Sequence, residues 1–141
     1  MAGYYIGVAH RAQAAYAAQE GFVAFSHGRE SAVQRLNPGD RVIYYAPKSD
    51  FDGEPVQAFV AHATVTGDAP CQRAFMGADG LFWARDAVFD AVTEVPVRSL
   101  IEELTFIKDK SHWGMAFRQG GFKISREDYE RIARALLGRE P

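Results

Sequence analysis

Between Val42 and Ala46 the chain runs apolar without alternation, as Val42-Ile43-Tyr44-Tyr45-Ala46. A strand with this pattern has both faces covered and lies centrally in a closed or layered sheet. Before it stands Asn37-Pro38-Gly39-Asp40, with proline where φ is fixed and glycine where a left-handed residue is needed, which predicts a type II turn. Tyr4 to Ala9 is also almost wholly apolar and predicts a second interior strand. His10 to Glu20 is alanine-rich with Ala12, Ala15, Tyr16 and Gln19 on one predicted helical face, and Gly21 stands ready to end the helix. Phe22 to Phe25 predicts a brief strand, and Ser31 with Gln34 fits a capping box for a short helix that must stop before Pro38.

Ser49 to Pro55 is an acidic, turn-rich loop between two strands. Past it the pattern changes to true alternation: Phe59, Ala61, Ala63 and Val65 share one face of a strand over Gln57 to Thr66, and Gly67 to Pro70 turns the chain back in a hairpin-like return. Met76 to Gly80 reads as loop, and Phe82 to Val92 as a strand long enough to wrap a curved sheet. Pro96 to Leu104 has Val97, Leu100, Ile101 and Leu104 at helical spacing, with Pro96 near the first position. Thr105 to Gly121 mixes aromatic and basic residues, with a short helix expected near Trp113 to Arg118. Phe122 to Ile124 is a small strand, and Ser125 caps a last helix that buries Tyr129, Ile132, Ala133 and Leu136. No internal repeat or low-complexity segment interrupts this order.

Composition narrows the picture further. A chain of 141 residues is one domain, 1–141, long enough to bury its own core. A formal net charge of −2 means that a nucleic-acid role must rest on a local patch. One cysteine, Cys71, excludes an internal disulfide. The start lacks a basic leader and no window approaches a membrane span, so the expected setting is soluble and cytoplasmic, with no membrane partner.

Candidate chemistry is sparse. His10, His27, His62, His112 and Cys71 share no metal-ligand spacing, and neither a nucleophile elbow nor a phosphate-binding glycine loop is present. The expectation is therefore a protein without metal, organic cofactor or catalytic constellation. His27-Gly28-Arg29 reads two ways, as a solvated surface turn or as a loop whose backbone and side-chain donors approach a ligand. Trp113 likewise reads as core or as a surface that stacks a nucleobase, while Trp83 in its strand reads as core. From Thr105 to Arg126, five basic residues (Lys108, Lys110, Arg118, Lys123 and Arg126) stand against one acid, Asp109. An aromatic platform in a basic segment is what single-stranded or flipped-base binding requires.

Several ordered segments resemble one family. Tyr4-Tyr5-Ile6-Gly7-Val8-Ala9, Phe22 to Arg29, Pro38-Gly39-Asp40 with Ile43-Tyr44-Tyr45-Ala46-Pro47-Lys48, Arg85-Asp86, Glu94-Val95-Pro96, Leu104 to Lys108, Trp113-Gly114, Phe117-Arg118 and Ile124-Ser125 fall in the order and spacing of the EVE domain, a PUA-like relative of the YTH domain. The resemblance implies an α/β (α+β) fold, a PUA-like curved mixed β-sheet closing toward a barrel and flanked by helices. It implies a non-enzymatic module that reads a modified, for example methylated, nucleobase in DNA or RNA. The implied pocket comprises Ala9, His10, Ser26, His27, Gly28, Arg29, Tyr45, Ala46, Pro47, Lys48, Trp113, Gly114 and Arg118. Trp113 would stack and the loop backbone would read the base edge, with Lys108, Lys110, Lys123 and Arg126 toward the nucleic-acid backbone. Tyr5, His10, Ser26, Arg29 and Ala46 depart from the residues usual in the family, and the last four bear on ligand identity. Two other classes stay open: a small-molecule enzyme using His10 or His27 in the same pocket, and an accessory protein binding RNA or a protein through the basic segment.

Overall fold

The computed structural model describes residues 2–25, 29–74 and 81–141. In chain order these form β1 (Tyr4–Val8), α1 (Arg11–Glu20), β2 (Phe22–Val23), α2 (Glu30–Gln34), β3 (Arg41–Lys48), β4 (Pro55–Val65), β5 (Cys71–Ala74), β6 (Leu81–Phe89), β7 (Val95–Pro96), β8 (Gly121–Ile124) and α3 (Arg126–Leu137). Tight 3₁₀ segments occupy Val97–Ser99 and Lys110–Arg118. One mixed sheet runs in the order β2-β6-β4-β3-β1-β8, with β5 added to β6 and β7 to β4, and it curls into a half-barrel flanked by helices.

β3 lies centrally, as its unbroken apolar run predicts: it pairs parallel with β1 and antiparallel with β4, and Val42 to Ala46 are all buried. The turn before it has Gly39 at φ +94 and the Asp40 amide donating to the Asn37 carbonyl at 3.0 Å, as a type II turn requires. Asp40 itself is buried, and its carboxylate accepts from the amides of Gly3 and Asn37, which ties the start of β1 to the turn. On α3, Ser125 Oγ accepts from the Asp128 amide, and Tyr129, Ile132, Ala133 and Leu136 are buried as predicted.

Other expectations change. α1 buries Ala14 and Ala17, leaving Ala15 and Gln19 exposed, because an alanine-rich segment offers too little contrast to mark its inner face. α2 begins at Glu30 with Arg29 at the cap and no side-chain cap bond, so Ser31 does not open it. Pro96 to Leu104 is not an α-helix: Val95 and Pro96 pair with Phe59 and Ala58 of β4 as β7, and only a 3₁₀ turn follows. Two β-branched valines flank a proline there, and burial of Val97, Ile101 and Leu104 is achieved by turns instead. The strand after Gly67 to Pro70 pairs with β6, not back onto β4. The predicted loop at 76–80 lies outside the described residues.

The sheet has an apolar cluster on each face. One gathers Ile6, Ile43, Tyr45, Phe59, Leu104, Ile107, Phe117 and α3; the other gathers Tyr5, Phe25, Val33, Leu36, Val42, Tyr44 and Ala63 with α1 and α2. Arg85 is buried in this frame, and its guanidinium donates to the carbonyls of Val33, Gln34 and Gly67, which satisfies the end of α2. A register shift on β4 sets Phe59 opposite Tyr45 and Ala61 opposite Tyr44, which turns Phe59 to the first cluster and separates it from Ala61.

His62 is the buried polar centre of the first face, at 1% exposure. Its Nδ1 lies 2.7 Å from Asp90 Oδ2 and its Nε2 2.7 Å from the Tyr129 hydroxyl, which also accepts from Arg41 at 3.2 Å. This chain of bonds assigns a neutral imidazole, with Nδ1–H donating to Asp90 and Tyr129 donating to Nε2. Burial pushes the His62 pKa below the usual histidine value, with Asp90 acting in the opposite sense. The unfolded chain then takes up a proton near pH 6.5 that the folded one resists, so stability contributed by His62 is complete above that pH and falls as the pH drops below it. The slope is at most about 1.4 kcal/mol per pH unit. Urea midpoints measured from pH 8 down to pH 5 should fall more steeply for the parent than for His62→Gln. Parallel curves would show that His62 is not the linked group.

Candidate nucleic-acid interface

The parallel pairing of β1 and β3 brings their C-terminal ends to one edge of the sheet, and β8, antiparallel to β1, starts at the same edge. Backbone hydrogen bonds lock the three together: the Ala9 amide donates to the Tyr45 carbonyl and the Val8 amide to the Gly120 carbonyl, each at 3.1 Å. Just beyond, the Ala12 amide donates to the Ser49 carbonyl at 3.0 Å, fastening the start of α1 to the end of the β3 strand. Ala9, His10, Ala46, Pro47 and Lys48 therefore meet at this edge.

The paired tyrosines divide their tasks across the sheet. The Tyr44 hydroxyl donates to the Ala24 carbonyl and accepts from the Ala24 amide, both at 2.9 Å, so it is a strut that fixes the end of β2. Enclosure raises its pKa strongly, with the Ala24 hydrogen bond opposing. Phe25 follows and packs against Gly7 and Gly121, where an added Cβ on Gly7 would stand only 2.7 Å from the Phe25 ring and 2.8 Å from that of Tyr44. Phe25 thus lies directly over Gly7 of β1 and Gly121 of β8. Ser26, His27 and Gly28, expected as pocket loop, lie outside the described residues; Arg29 beyond them is exposed.

Tyr45 faces the other way. Its ring stacks on Phe117 at 3.9 Å between centroids and 15° between planes, with Phe59 edge-on to both. Trp113 meets Phe117 edge-on at 6.4 Å and is half-buried, packed against this cluster with part of the side chain exposed. The segment that carries it is a 3₁₀ run broken at His112, where φ is −124 and ψ 46, rather than one regular helix. Asp109 caps it, accepting from the Ser111 amide at 3.0 Å and bonding His112 Nδ1 at 2.9 Å. The Ser111 and His112 hydrogen bonds hold its carboxyl at about 2, well below the usual range. The segment's single acid is thereby occupied locally.

Tyr45 is 2% exposed, and its hydroxyl has no hydrogen-bond partner among the described residues. Burial pushes its pKa up to about 12, while the nearby Arg98 charge acts in the opposite sense. The Arg98 guanidinium lies over the Trp113 ring, 5.3 Å from its centroid. Neither Arg98 nor Phe117 was singled out as a site residue in the sequence. Phe117 stands four residues from Trp113, a spacing that was available as a signal; Arg98 sits in a segment read as helix and gave none.

The cationic rim is uneven. Lys48, Arg118, Lys108 and Lys123 are exposed and have no ion-pair partner among the described residues. Lys110 is turned inward, its Nζ donating to the Leu104 carbonyl at 2.8 Å, and Arg126 sits 3.8 Å from Glu130. Gly114 is exposed beside Trp113. His10 begins α1 with its amide bonded to Gln13 Oε1 at 3.0 Å; its Nδ1 is buried without a partner among the described residues, and Phe51 stands edge-on at 6.0 Å. No described helix is long and apolar enough to cross a membrane.

Comparison with known proteins gives a consistent picture. The family model of the EVE domain matches residues 3–135. A UPF0310 protein of Mycobacterium avium is 41% identical over 116 residues, covering 82% of this chain and 83% of its own. Another from Mesorhizobium japonicum is 32% identical, covering 96% of this chain and 93% of its own. In structure, protein Atu2648 of Agrobacterium tumefaciens superposes with a TM-score of 0.56 at 14% identity, over 99% of each chain, a likeness of fold alone.

Proposed function

The chain belongs to the EVE domain family, PUA-like modules of the nucleic-acid-binding kind, and on that premise we propose that it binds nucleic acid and reads a modified nucleobase at the β1–β3 strand ends. One observation carries the reading. Trp113 is half-buried on a Phe117–Tyr45 stack, and Lys48, at the end of the strand that carries Tyr45, and Arg118, next to Phe117 in the chain, are exposed without ion-pair partners among the described residues. An aromatic platform seated on a packed stack offers a base the surface it loses on leaving its own, and exposed cations suit phosphates. Extruding a base costs a few kcal/mol, least when it is damaged or single-stranded, and stacking with edge hydrogen bonds must repay that. The reading is of binding without a chemical step.

The His62 relay does not favour an enzymatic alternative, since His62 and Tyr129 are 1% and 3% exposed and leave a substrate no approach to them. His10 has no acidic or basic partner among the described residues that would hand it a proton.

A screen of short single- and double-stranded DNA and RNA, each with and without base modifications, tests the proposal. Affinity should fall as salt rises and should be higher for at least one modified probe than for its unmodified twin. Salt-dependent binding with equal affinity for every modified and unmodified pair would leave an electrostatic accessory role and end the base-reading proposal.

A further inference from the structure

We propose that Arg98 decides which base the site accepts, selecting a ring whose edge carries an acceptor or acidic oxygen over one that carries only a methyl group or a positive charge. The inference rests on the base-reading proposal and goes beyond it by assigning a chemical class.

Three features converge. First, the Arg98 guanidinium lies on the Trp113 ring at 5.3 Å, so a base that reaches the indole meets the guanidinium as well, either exchanging with it on that face or stacking upon it. Both arrangements keep its charge and its N–H donors against the ring. Second, this guanidinium has no ion-pair partner among the described residues; of the acids near it in the chain, Glu94 pairs with Arg11 at 2.7 Å and Glu103 with Arg131 at 3.6 Å, while Glu102 is exposed and in no ion pair among the described residues. Third, the Tyr45 hydroxyl, in the field of Arg98, has no acceptor among the described residues and stays open to one that a ligand brings.

The base of the Arg98 side chain is held rigidly. Val95 and Pro96 pair with β4, Val97 is wholly buried, and Ser99 Oγ donates to the Pro96 carbonyl at 2.7 Å. Arg98 is exposed, so water meets its N–H groups until a ligand with acceptors replaces that water by charge-assisted hydrogen bonds. A methyl group brings no acceptor, so a methylated base forgoes the charge-assisted bond that a carboxylate makes with the guanidinium. A ring alkylated into a cation adds repulsion from the guanidinium.

The experiment uses the full chain and four single-stranded oligonucleotides of one sequence, in which the central base is cytosine, methylated cytosine, carboxylated cytosine or a cationic ring-methylated adenine. The parent should bind the carboxylated probe about tenfold more tightly than the methylated one, and the cationic probe most weakly. Arg98→Gln should erase the preference for the carboxylate while changing affinity for methylated cytosine less than about twofold, and Arg98→Lys should restore part of it, since charge without the planar fork remains. If Arg98→Gln instead weakens all four probes equally and lowers the salt slope by about one, Arg98 holds a phosphate and the proposal is overturned. A parent that separates modified from unmodified cytosine but not carboxylate from methyl overturns it too, with base reading intact. A parent that binds all four alike overturns base reading itself.

Discussion

Replacing Asp128 with alanine is expected to cost roughly 3 to 4 kcal/mol of stability. Asp128 is 1% exposed, and its carboxylate accepts from the Thr105 amide at 3.0 Å, the Thr105 hydroxyl at 2.6 Å and the Phe106 amide at 3.2 Å. Read in sequence it is merely an acid in the first turn of α3, suited to the helix dipole. Folded, it fastens α3 to the loop that carries Leu104 and Ile107 into the core. Hydrogen bonds to an ionised group contribute about 1.5 to 3 kcal/mol each, though three bonds to one carboxylate do not add in full. Alanine leaves the two amides without their acceptor. Asp128→Asn would be a poor remedy, since the amide nitrogen it introduces would face donors. Urea denaturation followed by circular dichroism measures the loss, and Ser125→Ala, which removes only the cap, should cost about 1 kcal/mol beside it. A loss below about 1 kcal/mol for Asp128→Ala would show that the tether is dispensable.

The second large effect concerns binding. Trp113→Ala should weaken binding of a modified-base probe by about 1 to 3 kcal/mol, roughly five- to 150-fold. The indole is half-buried on Phe117, so its removal also takes some packing away, and circular dichroism must first show that the variant is folded at the assay temperature. Trp113→Phe should retain part of the affinity, since a smaller ring still stacks. Phe117→Ala is the contrasting case. At 7% exposure, in contact with Tyr45, Phe59, Phe106 and Phe122, it should lose stability first and binding as a consequence. A folded Trp113→Ala protein with undiminished affinity would remove that residue from the site.

How much of this was legible in the chain depends on the range of the interaction concerned. The turn at Asn37 to Asp40, the buried run of β3 and the capped, amphipathic α3 rest on residues within a few positions of one another, and all three form as their sequence predicts. Where local contrast is weak the reading drifts. The alanines of α1 do not say which face is inward, and the apolar spacing of Val97, Ile101 and Leu104 suits turns pinned by β7 as well as it suits a helix. The candidate site was legible in its strand ends and its tryptophan, through the ordered motifs that resemble the family. Arg98 was not, because its contact with Trp113 bridges segments fifteen positions apart and no periodic pattern encodes it.

The sequence by itself determined the central strand, the turn before it, the last helix and the family. It did so because dihedral preferences, caps and hydrophobic periodicity act over single turns and strands. Tertiary structure alone decided which tyrosine is the strut to Ala24 and which packs on Phe117, since neighbours on a strand point to opposite faces and only packing assigns them. It also drew Asp90, His62, Tyr129 and Arg41 into one relay, and set the Arg98 guanidinium over the Trp113 indole. Those contacts join residues far apart in the chain, and their energies exist only once the sheet has closed around them.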